Sequence, residues 1–116
     1  MTLFAVIFVH WFADFVCQTR QMAENKSKSL FWLCAHILVY SAILSVCFGI
    51  TYATINGLLH LLIDYFTSRW TSRLWAEQKV HKFFVVIGLD QALHMTCLMI
   101  TLPYTMQWIL NSKVVM

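Results

Sequence analysis

Ala53-Thr54-Ile55-Asn56-Gly57-Leu58-Leu59-His60-Leu61-Leu62-Ile63-Asp64-Tyr65-Phe66 is an apolar run broken at every fourth position by Asn56, His60 and Asp64. Residues four apart lie one above another on a helix, so these three side chains form a polar stripe along an oily cylinder. Such a stripe requires a partner. Two other apolar runs carry the same device, His10 with Asp14 and Asp90 with His94, and a fourth contributes His36. The reading that unites them is an all-α integral membrane four-helix bundle, a single domain over residues 1–116, built around a shared His/Asp site.

The composition supports this class. Of the 116 residues, 60% are hydrophobic and only 11% charged, whereas charged residues make up about a quarter of an ordinary soluble domain. A soluble core of this size could not hide so much apolar surface, but a bilayer removes the need. The net charge of +3 is modest, and the basic residues show no repeated basic-aromatic pattern, which argues against a nucleic-acid partner. Cys17, Cys34, Cys47 and Cys97 stand singly in apolar surroundings without Cys-x-x-Cys spacing, and read as packing residues. Residues 1–17 lack the basic start and small-residue cleavage site of a signal peptide, and His10 and Asp14 interrupt them; they read as a retained first span.

The expected spans are 2–17, 30–48, 52–68 and 83–110. Between the first two lies a polar stretch, a loop or short surface helix. Gly49 to Thr51 punctuates the second and third, predicting a tight helical hairpin. Ala53 and Gly57 offer a small-residue surface for a close helix neighbour, and Pro103 is expected to kink the fourth span. The connections carry three, none and four Lys or Arg in turn. The positive-inside rule then puts the first and third in the cytoplasm of a bacterial inner membrane, with both termini outside, although Lys113 mildly opposes this. Measured from the cytoplasmic ends, His10, Asp14, His36, His60, Asp64, Asp90 and His94 all fall in one slab, roughly 5 to 17 Å deep.

A central Asp in a span costs about 2.5 to 3.5 kcal/mol on insertion scales, and three at one depth also repel one another. A divalent cation compensates all of them at once, and imidazole with carboxylate suits zinc, manganese or iron. Those seven residues are therefore the candidate metal ligands, for one ion or two, with zinc or manganese expected; Asp14, Asp64 and Asp90 are also the candidate catalytic carboxylates. The rival reading is a set of interhelical polar clamps without metal. It is the default for one His/Asp pair and weak for three pairs plus His36 at matching depth. Gln18, Asn56 and Gln91 are expected around the ligands as hydrogen-bonding support. Glu77 and His81 form a further pair in a polar connection, where a solvated helix face is expected.

The pattern His10-x-x-x-Asp14-Phe15-x-x-Gln18-Thr19, Lys26, His36, Asn56-x-x-x-His60-x-x-x-Asp64 and Asp90-Gln91-x-x-His94 resembles a family of small bacterial and phage inner-membrane proteins of unknown function. That resemblance implies no activity. A looser likeness to membrane-bound metal-dependent hydrolases implies metal chemistry by analogy only. The favoured expectation is a metal-dependent hydrolase of a phosphoester or lipid-like substrate, with Lys26, Arg69 or Arg73 meeting an anionic headgroup. One alternative is a metal-ion or proton pathway, which the unbroken apolar outer half of every span opposes. The other is a non-enzymatic phage or bacterial accessory protein that modulates a host membrane complex. A site completed by a second copy, in a homo-oligomer, is also open.

Overall fold

The computed structural model describes residues 3–114, with side chains through Tyr104. Thr2 and the side chain of Lys113 therefore lie outside the described residues. Among those residues the chain is all-helical: α1 (Leu3–Trp11), a π-helical turn (Phe12–Val16), α2 (Arg20–Asn25), α3 (Leu30–Phe48), α4 (Ile50–Ala76) and α5 (Val80–Val114). Helix α4 is the spine, with α3 packed on one side and α5 on the other, while α1 lies against α3. Two segments are long and apolar enough to cross a membrane, Leu30–Phe48 and Val80–Tyr104. The Leu3–Val16 segment is apolar but shorter, about 20 Å at 1.5 Å per residue.

Polar and apolar residues have exchanged their usual places. Val46 is 88% exposed and Phe4, Phe31 and Leu38 are each 71% exposed, while His36 is 0% and Asp64 1% exposed. Large apolar residues are thus exposed on all four long or apolar helical segments, α1, α3, α4 and α5. Away from the basic connections the interior is apolar. Val6, Tyr40, Leu44, Phe48, Tyr52 and Leu98 pack there, and the Tyr52 hydroxyl donates to the Leu98 carbonyl at 2.8 Å.

The hairpin expected near Gly49 is tighter than the sequence requires, because Gly49 alone separates α3 from α4. Its φ of 94° and ψ of 158° lie in a region essentially reserved for glycine. Gly57 lets α3 and α4 approach closely, since a Cβ there would overlap the Ser41 hydroxyl; the small-residue surface beside Ala53 is used as expected. The stretch after Gln18 forms α2, capped by the Thr19 hydroxyl accepting from the Met22 amide.

Helix α4 runs to Ala76 rather than stopping at Ser68, and α5 begins at Val80 rather than Phe83. The loss of apolar character after Phe66 marks a change of surroundings, not of backbone. Nothing from Thr67 to Ala76 breaks a helix, and Arg73 pairs with Glu77 one turn on. Hydrogen bonds from Lys79 and Arg73 hold the exposed Glu77 carboxyl below its ordinary pKa, so Glu77 does not need His81, which is itself exposed. Pro103 lies inside α5, which continues beyond it. All four cysteines are free, and Cys34 and Cys47 face outward rather than packing inside.

Gly49→Ala forces an L side chain into the glycine-only region. We expect it to lower stability by about 1–3 kcal/mol, read as an earlier thermal unfolding midpoint in detergent, with Ser45→Ala on the preceding turn as a near-neutral control.

A buried centre of histidine and aspartate

The predicted polar groups from four segments converge at the end of the bundle that carries both basic connections. The π turn brings Asp14 inward from α1, with the Cys17 amide donating to the Phe12 carbonyl at 2.9 Å. Helix α3 contributes His36, α4 contributes His60 and Asp64, and α5 contributes Asp90 and His94. All are buried.

Four atoms form the tightest group: His36 Nε2, His60 Nε2, Asp14 Oδ1 and Asp64 Oδ2. His36 Nε2 lies 3.0 Å from Asp14 Oδ1, 3.2 Å from His60 Nε2 and 3.4 Å from Asp64 Oδ2. His60 Nε2 lies 3.3 Å from each of the same two oxygens. Ligand atoms about 2.0–2.1 Å from a tetrahedral zinc are separated from one another by about 3.3–3.4 Å. The spacing of this quartet therefore fits one such ion, and its members are hard and borderline donors of the kind that zinc and manganese accept.

A second set, Asp14, Asp90 and His94, also has ligand atoms close enough to share a cation. His94 Nε2 is 3.2 Å from Asp90 Oδ2 and 3.1 Å from Asp64 Oδ1. Asp14 belongs to both sets, and Asp64 turns one oxygen to the first quartet and the other to His94. If both sets held a cation, Asp14 would be the residue common to the two.

Ring packing and hydrogen bonds hold the centre. His60 stacks on His94 with ring centroids 3.9 Å apart, and the Tyr40 ring lies tilted against His60 with centroids 4.1 Å apart. The Nδ1 atoms of His36 and His60 have no partner among the described residues, so packing rather than an outer hydrogen bond sets these two rings. Gln91 donates from its amide nitrogen to Asp14 Oδ2 at 3.2 Å and Asp90 Oδ2 at 3.0 Å. Only its carbonyl is left for His10 Nε2, 2.9 Å away. That nitrogen must then carry the proton, and His10 Nδ1 accepts from the Tyr40 hydroxyl at 2.7 Å. His10 thus stands beside the quartet with both nitrogens engaged.

The remaining predicted residues divide. Lys26 donates to Asp64 Oδ2 at 3.0 Å. Asn56 donates to the Tyr52 carbonyl and to the Thr101 hydroxyl, clamping α4 to α5 one turn away from the centre. Gln18 borders a cavity against the site. Arg69 donates to the Tyr65 carbonyl and covers the Tyr65 ring, and Arg73 pairs with Glu77; neither borders that cavity. Two partners were not singled out in the sequence. Tyr40 is four residues beyond His36, and the Thr67 hydroxyl donates to Asp90 Oδ1. The four-residue spacing that marked Asn56, His60 and Asp64 runs on to Ser68 and Ser72, a signal hidden by the ordinary look of serine.

The fold and site define a small all-helical protein with two membrane-length apolar helices and a buried His/Asp centre able to hold metal. The chain belongs to the family described as protein of unknown function, DUF3307, whose model matches residues 2–116. No curated protein and no solved structure matches it.

Gln91 joins three members of the centre, so Gln91→Leu leaves buried donors and acceptors unpaired. We expect destabilisation of about 1–3 kcal/mol, with His10 keeping its Nε2 proton toward Asp14 Oδ2, 3.5 Å away. Nitrogen-15 NMR of labelled histidine reads the tautomer; an Nδ1-protonated His10 in the wild type would contradict the bonding described.

Proposed function

We propose that the chain is an integral four-helix bundle of a bacterial inner membrane, with α1 and its π turn, α3, α4 and α5 as the spans and both termini outside. Its His/Asp centre binds a divalent cation, zinc or manganese, with provision for two, and hydrolyses a phosphoester or lipid-like substrate. The observation that carries this reading is the convergence of His36 Nε2, His60 Nε2, Asp14 Oδ1 and Asp64 Oδ2, with each imidazole nitrogen 3.0–3.4 Å from the other and from both oxygens. Charge supports it as well. Three buried aspartates face one lysine, Lys26, and with neutral imidazoles two negative charges remain, the complement of one divalent cation.

A cation at such a centre lowers the pKa of a water and offsets charge building on a phosphoryl oxygen. The protein's own groups supply the rest. Asp90 borders the cavity and, with a cation in the first quartet alone, is the carboxylate free to act as base, with the Thr67 hydroxyl and Gln91 amide holding it in place. In the hydrolysis the water oxygen forms the new P–O bond as the ester P–O bond breaks. The proton released by the water passes to the carboxylate and returns to the departing alkoxide. An ion pathway is less well supported, because the apolar cluster of Val6, Leu44, Phe48 and Leu98 would have to be crossed without polar lining.

Elemental analysis of the purified protein tests the reading. One to two equivalents of zinc or manganese are expected, falling below half an equivalent in His60→Ala and in Asp64→Asn. Metal-free protein that regains none on addition of either ion would remove the hypothesis. Well-folded Asp90→Asn that keeps its metal should lose hydrolysis of a generic phosphoester by at least 100-fold; full activity would exclude Asp90 as the base.

A further inference from the structure

A cavity of about 650 Å³ opens beside the centre, among α2 and the neighbouring ends of the π turn, α4 and α5. Its volume lies in the range of sites that enclose a small organic ligand. Its walls are divided by chemistry. Asp14, Asp90 and Gln91 form the part nearest the centre, and Phe15, Trp75, Phe83, Phe84 and Ile87 form an apolar side. Between them, α4 contributes the hydroxyl residues Ser68, Thr71 and Ser72. Ser68 is 7% exposed, and its hydroxyl has no partner among the described residues. An unsatisfied buried hydroxyl in a cavity wall is stabilised by a ligand atom able to bond it.

Of the charged residues bordering the cavity, Asp14, Glu24 and Asp90 are acidic and Lys26 and Lys28 are basic. Glu24 is paired with Arg20 at 2.7 Å, and Lys26 is committed to Asp64. Lys28 borders the cavity and makes no ion pair among the described residues. Should a second divalent cation enter, the centre would carry two positive charges in excess, which a phosphoryl dianion balances.

Resting on the hydrolase reading above, we infer that this cavity binds the substrate and that the substrate is an amphiphile with a phosphoryl head. The head lies toward Asp90, Ser68 and Lys28, and the apolar tail lies along Trp75, Phe83 and Phe84. The cavity is at the end of the bundle with the basic connections, where a lipid phosphate can enter sideways without leaving the membrane boundary. Asp14 and Asp90 repel an anion less when a cation screens them, so the head binds more tightly to the metal-loaded protein.

The full chain in phosphatidylcholine nanodiscs provides the test, with phosphatidic acid bearing brominated acyl chains as the probe and Trp75 as the reporter. The signal is the difference in quenching between wild type and Trp75→Phe. It should saturate with brominated phosphatidic acid and exceed, at least fivefold, that from brominated phosphatidylcholine at equal mole fraction. Ser68→Leu should abolish the selectivity, and Lys28→Ala, on an exposed side chain, should weaken it about threefold with metal retained. Equal quenching by both lipids, or no effect of either variant, would overturn the inference. Displacement of the lipid by inorganic phosphate at the same concentration would do so too, by assigning the site to a free anion. Metal content of the same samples separates the two readings: selective quenching without metal overturns the hydrolase and leaves the cavity assignment, whereas metal without selectivity does the reverse.

Discussion

Three carboxylates buried within reach of one another cannot all remain charged without compensation, and the rest of this structure follows from that constraint. Lys26 reaches in from the turn after α2 to meet Asp64, Gln91 spans Asp14 and Asp90, and Thr67 caps the far oxygen of Asp90. These contacts answer some of the charge with fixed donors. What they leave over is concentrated where His36 and His60 point their Nε2 atoms at each other and at two aspartate oxygens.

The architecture serves that centre. Helix α4 carries His60 and Asp64 on the face between α3 and α5, so both neighbours can present their histidines to it. Close approach at Gly57 brings His36 within reach, and the stack of Tyr40, His60 and His94 fills the space around the rings. Packing beyond the centre, from Leu44 and Phe48 to Leu98, is apolar. Among the described residues the bundle therefore has a polar end, which opens into the cavity, and a more apolar part beyond it.

The exposed apolar exterior and the buried acids are two halves of one physical situation. Apolar side chains are stable outside if lipid surrounds them, and acids are stable inside if charge or metal meets them.

Much of this was legible along the chain. A four-residue spacing is a local property of a helix, so His10 with Asp14, Asn56 through Asp64, and Asp90 with His94 could be placed on helix faces, and even at one depth, before any contact was known. A tight hairpin at Gly49 to Thr51 was readable too, but its reduction to the single residue Gly49 came from the structure. Tertiary packing alone decided which faces meet and which atoms converge, because helix rotation depends on partners distant in sequence. The π turn at Asp14, the diversion of His10 to Tyr40 and Gln91, and the commitment of Lys26 to Asp64 all arise that way. So does the cavity, a space between elements that no single stretch of residues encodes.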